Sequence, residues 1–193
     1  MKCNVLQCFL PFSQTVSERK TLQDAMLSYG LAKFYNLDSK DFLIMTEPKG
    51  KPYLKGENSV YFNITNTSWN NKQYIAIAFA PYEVGIDIEH PRQLSPRLPE
   101  KILSPEEYKL YRNTSNQNSF LQKYWTLKEA YVKYTGEGLS CPPSSLSFYS
   151  KSGNEYGLTG QPSLYFYNFS MEQDLTLSLC TPVQTEIEFH IFT

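Results

Sequence analysis

Two carboxylates separated by one residue stand in the segment Val84–Glu89. Side chains alternate along an extended strand, so Asp87 and Glu89 share one face with Gly85. Carboxylates placed in this way can both reach one hard cation, and an all-oxygen donor set favours Mg²⁺ or Mn²⁺ over zinc. The same pattern is also typical of a half-buried strand with a solvated acidic face. His90 follows directly, but alternation directs it to the opposite face, and we interpret it as structural.

A second group of chemically capable side chains lies on a helix predicted over residues 119–134. Trp125, Glu129 and Lys133 follow one another at a spacing of four residues. They lie off the stripe that should face the core, formed by Phe120, Tyr124, Leu127, Tyr131 and Tyr134. Glu129 and Lys133 form either an exposed pair worth roughly 0.2–0.5 kcal/mol to the helix, or a carboxylate and an ammonium presented to a ligand. Gly136 suits the left-handed residue that ends such a helix.

The elements that must position these residues indicate an α+β class. A helix is predicted over residues 17–35 and a short one over 106–111, with Pro-rich sequence between residues 91 and 105. The N-terminus indicates a first strand. Further strands are predicted over residues 42–46, 61–64, 74–80, 84–89, 146–149, 164–168, 175–179 and 186–192. A helix followed by several strands thus occurs twice.

Composition excludes several classes of protein. The formal net charge of −1 argues against non-specific nucleic-acid binding. Four cysteines without a CxxC pair, and only two histidines, argue against a zinc site and a disulfide framework and favour reduced thiols. The first apolar run is too short for a signal peptide, and no segment approaches membrane-spanning length. We therefore expect a cytoplasmic protein that binds neither nucleic acid nor membranes.

The motifs taken together resemble the signature of the 4′-phosphopantetheinyl transferases of the surfactin-synthetase type. Residues 85–89 match G-I-D-I-E, and residues 125–139 match W-T-x-K-E-A-x-x-K-x-x-G-x-G-L. Residues 50–52, 62–67 and 103–108 resemble that family's G-K-P, F-N-[IL]-S-H-[ST] and F-S-x-x-E-[YW] elements. The resemblance extends from Arg19 to Leu146.

This resemblance implies a fold of two similar α+β lobes, related by pseudo-twofold symmetry, with the active site between them. We assign residues 1–85 to the N-terminal lobe and residues 86–193 to the C-terminal lobe, which carries the metal and transfer residues. Small two-lobed members of this kind are often monomeric, so a monomer is expected.

The resemblance also implies an activity. A family member transfers 4′-phosphopantetheine from coenzyme A to a serine of an acyl- or peptidyl-carrier protein and releases 3′,5′-ADP. Asp87, Glu89 and Glu129 match the ligands of a Mg²⁺ (or Mn²⁺) ion that bridges the pyrophosphate of coenzyme A. Glu129 matches the acceptor of the serine proton, Lys133 the cation that stabilises the bridging oxygen, and Lys128 a contact to a phosphate oxygen.

The remaining coenzyme A contacts implied by the resemblance are Arg19, Lys51, Pro52, Thr65 and Asn66. At three places the chain departs from the family. Asn66 replaces a histidine, Ser28 stands where a basic residue is expected, and residues 11–16 lack the usual basic residues. All three departures weaken the end of the site that should hold the 3′-phosphate.

The stretch after the acidic strand matches the family's region for docking the carrier. It mixes basic with apolar side chains, namely Arg92, Arg97 and Lys101 with Leu94, Leu98 and Ile102. An ordinary surface connection would have the same composition. Two other functions stay open: a catalytically silent protein that binds coenzyme A or a carrier, and a Mg²⁺-dependent hydrolase that attacks phosphoanhydrides with water.

Overall fold

The computed structural model describes residues 1–11, 15–56, 59–90 and 97–193. These residues form four α-helices, namely α1 Val16–Tyr35, α2 Leu98–Ile102, α3 Pro105–Asn113 and α4 Gln117–Thr135. They also form eleven strands, namely β1 Lys2–Leu10, β2 Leu43–Thr46, β3 Pro52–Lys55, β4 Tyr61–Trp69, β5 Lys72–Ala80, β6 Gly85–Glu89, β7 Phe148–Ser150, β8 Glu155–Leu158, β9 Tyr165–Ser170, β10 Thr176–Thr181 and β11 Glu186–Ile191. The α+β class is therefore confirmed. Within these ranges, no helix is both long and apolar enough to cross a membrane.

The first large sheet has the strand order β11-β1-β5-β4 and carries helix α1. Thr15 caps this helix with a capping box, in which its hydroxyl accepts from the Glu18 amide and Glu18 bonds back to the Thr15 amide. Asn36 ends the helix in the left-handed conformation. The helix approaches the sheet closely at Gly30, where a Cβ atom would lie 2.2 Å from the ring of Phe79.

The second sheet is antiparallel, with the order β6-β10-β9-β8-β7, and carries helix α4. Leu127 and Ala130 of the helix pack on Phe166 and Cys180 of the sheet. Gly85 allows the helix to lie close to β6, because a Cβ atom there would be 2.0 Å from the carbonyl oxygen of Ala130. This close approach brings the polar side of α4 beside the acidic strand.

The two sheets face each other across a shared apolar core. Val5 and Ala78 of the first sheet contribute to it, with Ile86, Leu177 and Leu179 from the second. The long helices lie on the outer faces, so both halves have the same helix-on-sheet arrangement, in agreement with the predicted pair of similar lobes. The last strand, β11, pairs in parallel with β1 and so belongs to the sheet of the N-terminal half. The assignment of residues 1–85 and 86–193 to separate lobes stays a prediction.

The facing edge strands β4 and β6 are joined by side chains. The Ile86 amide donates to Asn63 Oδ1 at 3.0 Å, and the Ile88 amide donates to Thr65 Oγ1 at 3.3 Å. Both acceptors are buried. Asn63 and Thr65 are two residues apart on β4, so their side chains lie on one face of that strand. The amides that they bind are also two residues apart, on the edge of β6. We call this contact the seam.

Candidate active site

Asp87 lies at the seam and is buried, with only 5% of its surface exposed. Its Oδ1 accepts from Lys133 Nζ at 2.7 Å and from Thr65 Oγ1 at 3.1 Å. Lys133 also donates to Thr65 Oγ1, at 3.0 Å. The other oxygen, Asp87 Oδ2, is buried and has no hydrogen-bond partner among the described residues. A buried carboxylate oxygen in this state is unusual and indicates a missing positively charged partner.

Glu89 is oriented by residues from both halves of the protein. Its Oε2 accepts from Thr67 Oγ1 at 3.2 Å, and its Oε1 accepts from Trp125 Nε1 at 3.4 Å. The bond from Trp125 explains why a tryptophan lies off the apolar stripe of α4. Thr67 was not predicted, and neither was Asn63 of the seam. Their signal in the sequence is the alternation of Asn63, Thr65 and Thr67 along one strand.

His90 departs from its predicted orientation. Its Nδ1 lies 2.8 Å from Thr67 Oγ1 and 4.0 Å from Glu89 Oε2, and its ring stacks with Trp69. The prediction that it faces away from the carboxylates is wrong, because β6 ends at Glu89 and the alternation does not extend past the strand. The imidazole helps to fix Thr67, which in turn holds Glu89.

Glu129 supplies a third carboxylate from helix α4. Burial raises its pKa, and the negative charges of Asp87 and Glu89 raise it further, while Lys133 opposes both effects. These shifts mean that the three carboxylates sense one another across the gap between helix and strand. Glu129 and Lys133 line the same cavity, which has a volume of about 350 Å³.

The residues at the seam fit a divalent cation. Three carboxylates lie near the ammonium group of Lys133, the donors are all oxygen, and Asp87 Oδ2 has no hydrogen-bond partner among the residues that the structure describes. In the described ranges, no three acidic, histidine or cysteine side chains are arranged as a ready metal cluster. Glu129 therefore contributes to the negative potential of the site without converging on Asp87 and Glu89 in this conformation.

Lys128 is not part of this group, and its predicted contact to a phosphate oxygen is wrong for this structure. Its side chain is fully buried, and Nζ donates to Glu107 Oε2 at 2.5 Å. Nζ also donates to the carbonyl oxygens of Ile102, Leu146 and Pro143, at 2.7, 2.8 and 2.9 Å. Burial lowers the pKa of Lys128, and the carboxylate of Glu107 opposes that effect. With its donors directed into the core, Lys128 joins α4 to α3 and to the 143–146 segment.

Lys51 and Pro52 line the cavity from the N-terminal half. Lys51 is only partly available to a ligand, because Nζ donates to Glu83 Oε2 at 2.5 Å and to the Tyr134 carbonyl at 2.9 Å. Its side chain is 9% exposed. Lys51 thus braces the end of α4 against the N-terminal half, a role that the resemblance did not imply.

Arg19 and Asn66 come together at the exposed end of the site. Arg19 Nη1 donates to Asn66 Oδ1 at 3.4 Å; Arg19 is half-buried and Asn66 is exposed. Asn66 follows Thr65 on β4, so their side chains point to opposite faces. Ser28 makes a local bond, from its hydroxyl to the Asp24 carbonyl on α1.

The stretch proposed for carrier docking is described only in part. Arg97 and Lys101 are exposed, and Leu98 is half-buried. Ile102 is buried in the core around α4, so its predicted place on a docking surface is wrong. Arg92 and Leu94 lie outside the described residues.

Comparison with known proteins identifies the family. The sequence model of the 4′-phosphopantetheinyl transferase superfamily matches residues 83–180, about half of the chain. The chain is similar to the 4′-phosphopantetheinyl transferase Sfp of Bacillus subtilis (strain 168), with 29% identity over 133 residues. That match covers 68% of this chain and 58% of the relative. A second 4′-phosphopantetheinyl transferase of Bacillus subtilis is 24% identical over 169 residues, covering 85% of this chain and 74% of the relative.

A third relative comes from another genus. The 4′-phosphopantetheinyl transferase HetI of Nostoc sp. (strain PCC 7120) is 33% identical over 103 residues, which are 49% of this chain and 41% of the relative. The matched region thus spans less than two thirds of the length of Sfp and of HetI. The family match begins just before β6 and ends in β10, so it contains Asp87, Glu89, Glu129 and Lys133. The chain belongs to the 4′-phosphopantetheinyl transferase superfamily.

Proposed function

We propose that the protein transfers the 4′-phosphopantetheine group from coenzyme A to a serine of an acyl- or peptidyl-carrier protein. The observation that carries the proposal is the buried Asp87 carboxylate in a chain of this family: one oxygen accepts from Lys133, and the other has no hydrogen-bond partner within the described ranges. Asp87, Glu89 and Glu129 would hold Mg²⁺, or Mn²⁺ in its place. The bound ion would neutralise charge on the pyrophosphate of coenzyme A.

Coenzyme A would lie across the seam, with its pyrophosphate beside Lys133. Thr65 is close enough to Lys133 and Asp87 to orient both, and Pro52 borders the neighbouring cavity. We place the 3′-phosphate at the exposed end, near Arg19 and Asn66. A guanidinium can bind a phosphate through two parallel hydrogen bonds, whereas the asparagine amide adds only a neutral donor.

The transfer step requires one proton acceptor and one cation on this chain. The carrier serine attacks the β-phosphorus of coenzyme A, and the bond from that phosphorus to the bridging oxygen breaks. Glu129 lines the cavity beside Lys133, and from there it accepts the serine proton. Lys133 stabilises the negative charge that develops on the bridging oxygen as 3′,5′-ADP leaves.

The setting of the reaction is also proposed. The described cysteines Cys3, Cys8, Cys141 and Cys180 are free thiols, which is typical of a reducing compartment, so we propose a cytoplasmic location.

We further propose that the protein acts as a monomer of two lobes, residues 1–85 and 86–193. The exposed basic residues Arg97 and Lys101 would face an acidic helix of the carrier.

A single assay tests the activity. Purified protein is mixed with coenzyme A, Mg²⁺ and an apo peptidyl-carrier domain or an apo acyl-carrier protein, and each carrier is weighed by mass spectrometry. A gain of one phosphopantetheine group supports transfer. Release of 3′,5′-ADP without a heavier carrier indicates a hydrolase, and binding of coenzyme A without either product indicates a silent binding protein. Both of these outcomes would overturn the proposal.

A further inference from the structure

Gln122 lies on the same side of helix α4 as Trp125, because the two residues are three positions apart. Trp125 Nε1 donates to the carboxylate of Glu89. Gln122 is one turn nearer to the start of the helix and is buried, with 7% of its surface exposed. A glutamine is mostly found on the protein surface, and its amide needs partners where it is buried. Its partners therefore indicate what it does at this place.

The side chain of Gln122 joins two carbonyl oxygens of the main chain. Nε2 donates to the Glu89 carbonyl at 2.8 Å and to the Asp174 carbonyl at 3.2 Å. These bonds use both hydrogens of the amide nitrogen. Because carbonyl oxygens only accept, the nitrogen must face them, and the orientation of the amide is thereby determined. Gln122 thus connects helix α4 to two neighbouring segments of the second sheet.

These two carbonyls lie where the pairing of β6 with β10 ends. Glu89 is the last residue of β6 and is opposite Thr176, the first residue of β10. Asp174 is two residues further out, and its φ of 60° lies in the left-handed region. The ends of strands open more easily than their middles, because fewer contacts hold them. The Gln122 amide holds this end of the sheet from the side of the helix.

Helix α4 therefore holds Glu89 at two points, its main chain through Gln122 and its carboxylate through Trp125. The bond from Trp125 is long, at 3.4 Å, and such a bond orients a carboxylate only weakly. The bond from Gln122 is short and lies on the main chain, from which the carboxylate extends. Fixing the main chain limits the positions that the carboxylate can reach.

We propose that Gln122 is a positioning residue of the cation site. By binding the main-chain carbonyl of Glu89, it holds the end of β6 so that the Glu89 carboxylate stays on the side of Asp87. This inference rests on the proposed function, since it assumes that a divalent cation binds to these carboxylates. Without the amide at position 122, the end of the strand moves more freely, and the cation must order Glu89 when it binds.

Gln122→Met tests the proposal in the full chain, with Mn²⁺ alone as the probe. Methionine has nearly the same length but donates no hydrogen bond. We expect Mn²⁺ binding to weaken about three- to tenfold, the effect of one hydrogen bond. The electron paramagnetic resonance signal of the free ion measures the affinity. Gln117→Met makes the same change at an exposed position in the first turn of α4, where Nε2 donates to the Tyr111 carbonyl, and should bind Mn²⁺ as the wild type does.

Glu89→Ala completes a double-mutant cycle that separates positioning from general loosening. If Gln122 acts through Glu89, then adding Gln122→Met to Glu89→Ala should weaken Mn²⁺ binding no further. Equal weakening in both backgrounds would overturn the proposal, because the loss would then come from helix packing. Equal Mn²⁺ affinity in the wild type and in Gln122→Met would overturn it as well.

Hydrogen exchange of the metal-free protein gives a readout that does not depend on the cation. Gln122→Met should speed amide exchange in residues 85–90, the segment that contains β6. Unchanged exchange there would overturn the inference alone. A wild-type protein that binds no Mn²⁺ would overturn the metal-dependent function as well. Thermal unfolding of each variant verifies that it is folded when titrated.

Discussion

Lys133 Nζ lies 2.7 Å from Asp87 Oδ1, and this ion pair joins helix α4 to the edge of β6. Asp87 is buried, whereas the lysine side chain is 28% exposed. The ammonium therefore neutralises a carboxylate that would otherwise be costly to bury, and it also reaches the cavity where the bridging oxygen of coenzyme A would lie.

Lys133→Met tests both roles of this ion pair. We expect a loss of transfer activity and a loss of roughly 1–3 kcal/mol in the free energy of unfolding, below the range for fully buried pairs because Lys133 is partly solvated. Adding Asp87→Asn should restore most of the stability and none of the activity. Denaturant unfolding and the carrier mass assay measure the two effects. Lys109→Met, at an exposed site on α3, is the control. Full stability in Lys133→Met would argue against the pair.

Glu129→Gln should abolish transfer and stabilise the metal-free protein at neutral pH. The pKa of Glu129 is raised in the native state, so between the unfolded and the native pKa the folded protein holds a proton that the unfolded chain has lost. Stability then falls as the pH rises from the unfolded value of about 4.3 through the native one. Glutamine does not ionise, so the variant should melt higher than the wild type at pH 8, and this difference should shrink towards pH 4.

Melting curves between pH 4 and pH 8 in the presence of EDTA measure this effect. Glu137→Gln, at the exposed position just beyond the helix, provides the control. A melting difference between Glu129→Gln and the wild type that does not vary with pH would contradict the raised pKa. Unchanged turnover in Glu129→Gln would remove Glu129 from the mechanism.

Asn66→His should strengthen the hold on the 3′-phosphate. A charged imidazole beside Arg19 offers a charge-assisted hydrogen bond, which exceeds a neutral one by about 1 kcal/mol, or roughly fivefold in affinity. Calorimetric titration should show tighter binding of coenzyme A and little change for 3′-dephospho-coenzyme A. Ser68→His places the same group two residues along the exposed face of β4 and should have no effect. If Asn66→His leaves the preference unchanged, the phosphate does not lie there.

Lys128→Met should act on stability. It leaves the buried carboxylate of Glu107 without its cation and should cost about 3–5 kcal/mol of unfolding free energy. The double change with Glu107→Gln should recover part of that loss, because no buried charge is then unpaired. Denaturant unfolding measures both variants. A stable Lys128→Met protein with weakened coenzyme A binding would instead restore the phosphate contact implied by the resemblance.

Much of the site follows from short-range patterns. Alternation on a strand predicted that Asp87 and Glu89 share a face, and helical spacing predicted that Glu129 and Lys133 do. Lys128 was given a phosphate contact by the family resemblance, whereas its side chain is buried against Glu107. Neighbouring helical residues point about 100° apart, so Lys128 and Glu129 cannot both face one ligand. Lys51 illustrates another limit, because its partners Glu83 and Tyr134 are brought together only by the tertiary fold.

The sequence predicted the fold class correctly, but it did not predict several short strands and helices. Strand β8 has the sequence Glu-Tyr-Gly-Leu, and Gly157 is unfavourable in a strand by propensity. The glycine leaves room for the ring of Tyr149 on the neighbouring strand, which lies 2.2 Å from where a Cβ atom would be. Strand β3 begins at Pro52, and helix α2 lies inside a Pro-rich stretch that indicated a loop.

At the seam, individual side chains determine how the two halves of the protein are aligned. A backbone ladder would bind the strands with almost any sequence, whereas here Asn63 and Thr65 supply the accepting oxygens. A change of one methylene at either position would shift β4 relative to β6 without breaking a ladder bond within either sheet. The spacing between the residues proposed to bind coenzyme A and those proposed to perform the transfer can therefore be adjusted by point substitution, which gives natural variation and protein engineering direct control over that spacing.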